Sequence, residues 1–260
     1  MIISIINQKG GVGKSTTANA LGAGLSLRGY KVLYIDLDAQ GNLSYSMNAL
    51  GKKDTTNSID VLMNAAKGVP IIKNTIVHTE QGDIVPAAPT LASADLMLTN
   101  IGKEYTLKYA IEPIRDDYDV IVIDTPPALG ILTVNALTAS DSVVVPAQAD
   151  AYSLQGIGML HQTVLAVRRY CNSDLKISGI LITRYSSRAI LTRQMTQMME
   201  DTAEKLHTVV YRTKIRECIA LKEAQAAQQS IFEYAPKSNA SIDYNAFIDE
   251  LLHQQPIERK

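Results

Sequence analysis

A glycine-rich segment near the start of the chain restricts the possible folds more than any other feature of the sequence. It reads Lys9-Gly10-Gly11-Val12-Gly13-Lys14-Ser15-Thr16, and it follows the apolar residues 2–6 and precedes an alanine- and leucine-rich stretch. Glycines let a turn bring successive backbone N–H groups towards one point, and the first turn of a helix adds partial positive charge there. A strand, a glycine-rich turn and a helix in this order predict a phosphate-binding loop.

Single residues of the loop are predicted to have distinct roles at a nucleotide. Lys14 is placed to reach the outer phosphates, and the Ser15 hydroxyl is a suitable ligand for Mg²⁺. The strict pattern has a glycine where this chain has Gln8, so the motif is a variant. Lys9 is expected at the rim, either as a solvated surface charge or as a contact to a nucleotide of a second subunit. The predicted nucleotide-binding residues are Gly10, Gly11, Val12, Gly13, Lys14, Ser15 and Thr16.

Short apolar runs alternate with helical stretches along the whole sequence. Strands are predicted over residues 2–6, 32–35, 120–123, 142–145, 177–183 and 209–211, and helices over 16–27, 153–170, 192–205 and 239–252. Residues 51–89 have no regular pattern and are predicted as mixed structure. Runs that are apolar on both faces suit buried parallel strands joined by helical crossovers. The sequence therefore predicts one α/β domain over residues 1–260, a P-loop NTPase-like, doubly wound and mostly parallel sheet with helices on both faces.

Composition excludes several classes of protein. The 260 residues carry a formal net charge of −1, so binding to nucleic acid or anionic lipid would need a local basic patch. The two cysteines, Cys171 and Cys218, lie far apart, which argues against a disulfide framework or a cysteine-rich zinc site. No signal-peptide pattern and no apolar stretch of ~20 residues is present, so we expect a cytoplasmic protein without membrane association.

Carboxylates follow two of the predicted strands. Asp36 and Asp38 come after the second strand, and Asp124 ends the strand over residues 120–123. The carboxyl ends of parallel strands line the ligand crevice of an open α/β sheet. Asp124 is therefore predicted to bring a fixed negative charge to the Mg²⁺ region, although an aspartate here can also cap the next segment. Asp36 and Asp38 fit either a metal and water site or an ordinary turn.

These motifs resemble those of the ParA/MinD superfamily of ATPases. The run from Asn7 to Thr16 is similar to the superfamily's deviant Walker A motif, Asp36 to Asn42 to its switch I with Ala39 in place of a proline, and Asp124 to Pro127 to its switch II. The resemblance implies ATP and Mg²⁺ as cofactors and a homodimer that forms when ATP is bound. It implies that Lys9 reaches the partner's phosphates. The implied catalytic residues are Lys9, Lys14 and Asp38, and the implied metal-site residues are Ser15, Asp36 and Asp124.

The second half of the chain resembles the Soj-like ParA group. Similar segments are found at residues 148–158, 177–187 and 232–238. This resemblance implies a partitioning switch for plasmid or chromosomal DNA, in which Asp38 orients the attacking water. It also implies that the ATP-bound dimer binds DNA non-specifically and that a ParB-like partner stimulates hydrolysis. Because no arginine finger is evident in the motifs, slow turnover is expected without that partner.

The DNA contacts are the part of the pattern that this chain matches least. Ala220 stands where the family has one DNA-binding arginine, and Arg188 matches the other. The stretch from Ile215 to Ala224 departs from the family, so the adenine contacts stay unassigned. The surrounding cations are either substitutes or scattered solvated charges, and with DNA binding the protein is expected at the nucleoid. The candidate substitutes are Arg184, Arg193, Lys214, Arg216 and Lys222.

Three other interpretations fit the same nucleotide motifs. A MinD-like positioning ATPase needs a basic amphipathic tail, whereas residues 249–256 contain acids and a proline. An iron–sulfur reductase needs bridging cysteines that Cys171 and Cys218 do not supply. A nucleotide-gated adaptor with little turnover is the third interpretation, and the presence of Asp38 argues against it.

Overall fold

Seven strands form one sheet in the computed structural model, which describes residues 1–51, 56–186 and 190–260. The sheet order is β3-β4-β2-β5-β1-β6-β7, and all neighbours pair in parallel except the hairpin β3–β4. The predicted fold class is thereby confirmed. The strands are β1 Ile2–Ile5, β2 Val32–Asp36, β3 Val77–Thr79, β4 Gly82–Val85, β5 Val120–Asp124, β6 Ser142–Ala147 and β7 Lys176–Ile182.

Helices cover both faces of the sheet, as the alternation in the sequence predicted. Short 3₁₀ turns over residues 89–93, 103–105 and 112–114 complete the connections. Within the described ranges, no helix is both long and apolar enough to cross a membrane. The α-helices are α1 Lys14–Leu27, α2 Asn42–Ser46, α3 Ser58–Ala65, α4 Ile72–Thr75, α5 Ala94–Met97, α6 Thr106–Ile111, α7 Ile131–Ala139, α8 Ala151–Tyr170, α9 Ile190–Lys205, α10 Ala220–Ala226, α11 Ile231–Tyr234 and α12 Asn239–Gln254.

One predicted strand is wrong and one irregular region contains more order than expected. Residues 209–211 lie beside the edge strand β7 and make one isolated parallel bridge with it, between Ile180 and Val210. They form no strand. Tyr211 turns inward there, because its ring packs edge-on against Phe247 at 4.9 Å. The region 51–89 holds α3, α4 and the β3–β4 hairpin, while residues 52–55 lie outside the described part of the chain.

The core has two layers, one on each side of the sheet. Ile3 and Ile5 of β1 pack with α1 and α12, whereas Leu33 and Ile35 of β2 pack with α6, α7 and α8 on the other side. This alternation follows from the two-residue period of a strand. Because both faces are covered by helices, the central strands β1, β2, β5 and β6 are buried along their whole length.

Helix α1 lies unusually close to its neighbours. A Cβ atom on Gly22 would lie 2.3 Å from the Tyr34 ring, and one on Gly24 would lie 2.3 Å from Ile248 Cδ1. Glycine is required at both positions because a larger side chain would overlap buried atoms. At the carboxyl ends of β2 and β5, strand register aligns Asp36 with Asp124, which lies beside Lys14 and Ser15 at the start of α1.

Candidate nucleotide-binding site

The glycine-rich loop runs from the end of β1 to the start of α1 and borders a cleft of about 620 Å³. Gly11 and Gly13 have φ angles of 74° and 88°, a left-handed conformation that glycine adopts readily. Gly13 is also the N-cap residue of α1. A Cβ on Gly10 or Gly11 would meet no atom within 4 Å, so the loop faces open space. The cleft is lined by Gly10, Gly11, Gly13, Lys14, Ser15, Thr16, Asp38, Gln40, Asn42, Tyr45, Ser46, Pro127, Gln225 and Ala226.

Lys14 is held inside the loop. Its side chain is largely buried, and Nζ donates a hydrogen bond to the Lys9 carbonyl oxygen at 3.2 Å. Burial lowers the pKa of Lys14, while the nearby Asp124 and Asp38 carboxylates act in the opposite direction. The ammonium therefore lies near the Lys9 carbonyl oxygen and two carboxylates, and Lys14 borders the cleft.

Asp124 lacks a hydrogen-bond donor for its carboxylate within the described residues. It ends β5 with no exposed surface, and within the described residues neither carboxylate oxygen accepts a hydrogen bond. The Ser15 hydroxyl lies beside it without reaching hydrogen-bond geometry, and favours the charged form. Burial, followed by the negative charge of Asp36, raises the pKa of Asp124 well above its ordinary value. An unpaired buried carboxylate of this kind is stabilised by a cation.

Asp36 and Asp38 organise the turn between β2 and α2. Asp36 accepts hydrogen bonds from the Asp38 amide and from both the amide and the hydroxyl of Ser44. Burial nevertheless raises the pKa of Asp36 to about 6. Asp38 accepts a bond from the Gln40 amide at 3.0 Å and lines the cleft. Asp36 thus anchors the turn, and Asp38 presents a carboxylate to the cleft.

The donor set fits a magnesium ion that is held mainly by water and phosphate. Among the described residues, no group of three or more His, Cys, Asp or Glu side chains could hold a metal by itself. Mg²⁺ commonly takes one or two protein oxygens and completes its shell with waters and substrate phosphates. The unsatisfied oxygens of Asp124 and the adjacent Ser15 hydroxyl match such a partial set.

Lys9 is engaged within its own chain. Its Nζ forms an ion pair with Asp150 at 2.5 Å and approaches Gln148 Oε1 at 3.5 Å. Asp150 also accepts a bond from the Ser153 amide and thereby caps α8, and Gln148 Nε2 donates to the Gly11 carbonyl oxygen. Lys9 therefore lies at the rim of the loop, as predicted, and its contact with a second subunit stays a prediction.

A second, smaller cavity of about 260 Å³ adjoins the phosphate cleft. It shares Gly11, Gly13, Thr16 and Gln225 with that cleft, and more of its lining is apolar than polar. The loop residues of this lining were predicted to bind nucleotide, and Arg184, Arg216 and Lys222 were predicted only as candidate DNA contacts. Thr183, Gln225 and Tyr244 were not predicted, because they come from distant segments and follow no pattern. The remaining lining residues are Val12, Thr183, Arg184, Ile215, Arg216, Glu217, Cys218, Leu221, Lys222 and Tyr244.

Three of the cations predicted for DNA binding have a protein partner. Arg216 forms a bidentate contact with Asp243, and Arg184 approaches Glu217 at 3.5 Å. Lys214 Nζ lies 5.1 Å from the centre of the Tyr185 ring. Arg188 lies outside the described residues. The structure brings Arg184 and Arg216 together at the small cavity, so these two are not isolated surface charges.

Comparison with known proteins decides the family. Residues 1–177 match the family model AAA_31, described as an AAA domain. The chain is 42% identical to the sporulation initiation inhibitor protein Soj of Bacillus subtilis (strain 168) over 245 residues, 94% of each chain. It is 36% identical to the chromosome partitioning protein ParA of Myxococcus xanthus (strain DK1622), over 96% of this chain and 87% of that one. The chain belongs to the ParA/MinD superfamily.

Solved structures agree with this assignment. This superfamily member is similar to cobyrinic acid a,c-diamide synthase from Mycobacterium smegmatis with bound ADP and magnesium, at 34% identity and a TM-score of 0.82. The match covers 98% of this chain and 95% of that one. The predicted superfamily, its Soj-like ParA branch and the ATPase class are therefore confirmed.

Proposed function

We propose that this ParA-family ATPase binds Mg²⁺·ATP and acts as a dimerising switch in the partitioning of plasmid or chromosomal DNA. The observation that carries the proposal is that the glycine-rich loop borders an open cleft while two of its residues, Lys14 and Ser15, lie beside the buried Asp124 carboxylate, which accepts no hydrogen bond within the described residues. A triphosphate and a divalent cation satisfy both at once. The Soj and ParA relatives support the partitioning role.

The residues of the cleft can neutralise and position a triphosphate. The amides of Gly11 to Ser15 surround the phosphates, and Lys14 leaves the Lys9 carbonyl oxygen to bind the outer oxygens. Asp124 and Ser15 would hold Mg²⁺, and the buried Asp36 adds negative charge beside Asp124. When bound, Mg²⁺ neutralises charge that develops on the phosphates during transfer.

Asp38 positions the attacking water. Only one of its oxygens is occupied by the Gln40 amide, and its side chain borders the phosphate cleft. Phosphoryl transfer to water depends on alignment and charge neutralisation, so a fixed acceptor for the water is the main requirement. The base of the nucleotide lies in the adjoining 260 Å³ cavity, next to Ile215, Cys218 and Tyr244.

Lys9 connects hydrolysis to dimerisation. To reach the phosphates of a second subunit, its ammonium must leave Asp150, which holds it in the single chain. Triphosphate in the partner's cleft supplies a stronger anion than one half-exposed carboxylate. ATP therefore favours the homodimer, and Lys9 and Lys14 neutralise the phosphates from opposite sides.

The ATP-bound dimer binds DNA through its positive surface and hydrolyses ATP faster with a ParB-like partner. Arg184, Lys214 and Arg216 are the described candidates for phosphate contacts, together with Arg188. Because three of them already have protein partners, few cations remain to neutralise phosphates, so binding is weak and weakens further as salt rises. A cytoplasmic protein that associates with the nucleoid fits this behaviour.

The decisive experiment measures ATP binding, turnover and oligomeric state in one set of variants. Asp38→Ala is expected to bind Mg²⁺·ATP and dimerise without turnover, Lys9→Ala to bind ATP as a monomer, and Lys14→Ala to lose ATP binding. Turnover of the unchanged protein is measured alone, with DNA and with a ParB-like protein. Tight ATP binding without turnover under every condition would indicate a nucleotide-gated adaptor and would refute the ATPase switch.

A further inference from the structure

Helix α10 lies between the phosphate loop and the turn that carries Asp38, and side-chain amides tie it to both. Gln225 Nε2 donates to the Thr16 hydroxyl oxygen at 2.8 Å, and Gln225 lines the phosphate cleft as well as the small cavity. Just after α10, Gln228 Nε2 donates to the Tyr45 carbonyl oxygen at 3.0 Å. Tyr45 belongs to α2, the helix that follows the Asp38 turn.

A second glutamine completes this connection. Gln81 Nε2, in the β3–β4 turn, donates to the Ser46 carbonyl oxygen at 2.6 Å and to the Gln228 carbonyl oxygen at 2.8 Å. Its Oε1 accepts a bond from Asn19 of α1. The last carbonyl groups of a helix lack intrahelical partners. Gln81 supplies a donor for the Ser46 carbonyl oxygen, and Gln228 is a second donor for the Tyr45 carbonyl oxygen, which also accepts from the Asn48 amide at 3.0 Å. We call Gln81 and Gln228 the glutamine bridge.

The backbone of Gln228 is held in an unfavourable conformation. Its φ angle is 54°, in the left-handed region that side chains other than glycine, asparagine and aspartate rarely adopt. Such a conformation costs about 1–2 kcal/mol, so neighbouring contacts must maintain it. Here it lets one residue point its carbonyl group at Gln81 and its side-chain amide at Tyr45.

The position of α2 determines the position of Asp38. The helix has only five residues and begins after a turn in which the Gly41 amide donates to the Asp38 carbonyl oxygen at 2.8 Å. Its first turn is fixed by Ser44, which bonds to Asp36. The glutamine bridge fixes its last turn. A single helical turn held at both ends leaves the Asp38 segment little freedom.

We propose that Gln81 and Gln228 are positioning residues for ATP hydrolysis, which fix α2 and thereby the Asp38 carboxylate relative to the bound nucleotide. The proposal rests on the role proposed above for Asp38. Through Gln225, the same helix α10 contacts the phosphate loop and the 260 Å³ cavity proposed to hold the base of the nucleotide. The glutamine bridge therefore aligns the Asp38 carboxylate, which is proposed to bind the attacking water, with helix α10 beside the proposed nucleotide site.

Replacement of Gln228 by glycine separates positioning from folding. Gln228→Gly keeps the backbone carbonyl group for Gln81 and adopts the left-handed conformation without strain, but it loses the amide donor to Tyr45. We expect an unchanged or raised melting temperature, an ATP KM within about twofold and a kcat lowered about tenfold, because small displacements of a reacting group are costly. A merely structural role predicts an intact kcat together with a raised melting temperature.

A second variant tests the other half of the bridge. Gln81→Glu keeps an acceptor for Asn19 but removes the donor to Ser46 and Gln228, and it should lower kcat in the same way. The double variant should lose no more than the larger single effect, since the two residues act as one unit. Gln229→Ala, an exposed neighbour, is the matched control and should keep full turnover.

The outcomes distinguish this inference from the proposed function. If Asp38→Ala abolishes turnover but both bridge variants retain it, the positioning role is wrong and the function of Asp38 stands. If bridge variants lose turnover only in proportion to their unfolded fraction, the bridge is structural and the inference fails. If Asp38→Ala retains turnover, the proposed mechanism fails first.

Discussion

Asp124 illustrates at the residue scale how a functional site can oppose stability. The carboxylate is fully buried at the end of β5, and burial together with Asp36 raises its pKa. Lys14 is the nearby cation, but it also bonds to the loop. A buried charge without partners destabilises a folded chain unless a ligand supplies the missing contacts. The site is therefore complete only with a cation.

Asp124→Asn should separate the two effects. The amide has nearly the same shape and no charge, so we expect the nucleotide-free variant to be as stable as the unchanged protein or more stable. We also expect it to lose most of the thermal stabilisation that Mg²⁺·ATP gives, because ligand binding raises stability by mass action. Melting temperatures measured without and with Mg²⁺·ATP give the stability of the nucleotide-free variant and its stabilisation by the ligand. A large loss of stability without ligand would show that Asp124 has an unrecognised structural partner.

The residues that the sequence could predict are those of contiguous motifs. Lys14, Ser15 and Thr16 follow directly from the strand–loop–helix order, and Asp124 follows from a buried strand that ends in a carboxylate. Gln81, Gln225 and Gln228 could not be predicted, because each makes its contact across more than a hundred residues or through backbone carbonyl groups. Contacts between such distant residues can be recognised only when the order of the strands in the sheet is known.

At the scale of elements, glycines in helices explain how closely α1 can pack. Gly22→Ala would bring a methyl group to 2.3 Å from the buried Tyr34 ring. We expect it to lower the free energy of unfolding by ~1–3 kcal/mol, despite the better helix propensity of alanine. Gly158→Ala is the matched control in α8, because a Cβ there meets no atom within 4 Å, and it should be neutral or stabilising. Urea denaturation compares the two; equal effects would refute the packing argument.

The start of α8 contributes stability that depends on pH. Partial burial acts to raise the pKa of Asp150, but the hydrogen bonds from Lys9 and Ser153 outweigh it and hold the pKa below its usual range. A lowered pKa stabilises the fold above the unfolded value of about 4, and this contribution disappears as the pH falls through the folded pKa. Asp150→Asn keeps a cap but loses the ion pair.

We therefore expect Asp150→Asn to be less stable than the unchanged protein at pH 7, with a difference that shrinks towards pH 3. Denaturation at several pH values gives the two stability curves. Asp150→Ala should have a lower free energy of unfolding than Asp150→Asn at every pH, by about 1 kcal/mol, because it also loses the helix cap. A difference between the Asn variant and the unchanged protein that is constant with pH would exclude the titration of Asp150 as its cause.

The element boundaries were predictable where one physical cause dominates. Helix α1 ends at Leu27, as predicted, and the following Gly29 has a left-handed φ of 84°, which is typical of the residue after a helix. Its start at Lys14 lies two residues before the prediction, because Gly13 already acts as N-cap. The apolar residues 209–211 were wrongly predicted as a strand. The pattern is apolar because Tyr211 packs against Phe247 beside the sheet edge, not because these residues belong to the sheet.

At the scale of the whole molecule, charge pairing decides how strongly a nearly neutral chain can bind DNA. The net charge is −1, and three of the candidate cations, Arg184, Lys214 and Arg216, have protein partners. Arg216 is the clearest case, because both Asp243 oxygens bond to it while part of its side chain stays exposed. The fold thus cancels positive charge at the surface proposed to bind DNA.

Asp243→Asn should free this charge with little change of shape. We expect the ATP-bound protein to bind DNA several-fold more tightly at low salt, with a steeper salt dependence by about one phosphate contact, because each neutralised phosphate releases counterions. Asp249→Asn, further along α12, removes the same charge from the Arg28 pair and should leave DNA binding unchanged. Fluorescence anisotropy with a labelled duplex across a salt series measures both. Equal gains in the two variants would mean that net charge, rather than Arg216, governs binding, and no gain in either would remove Arg216 from the proposed DNA surface.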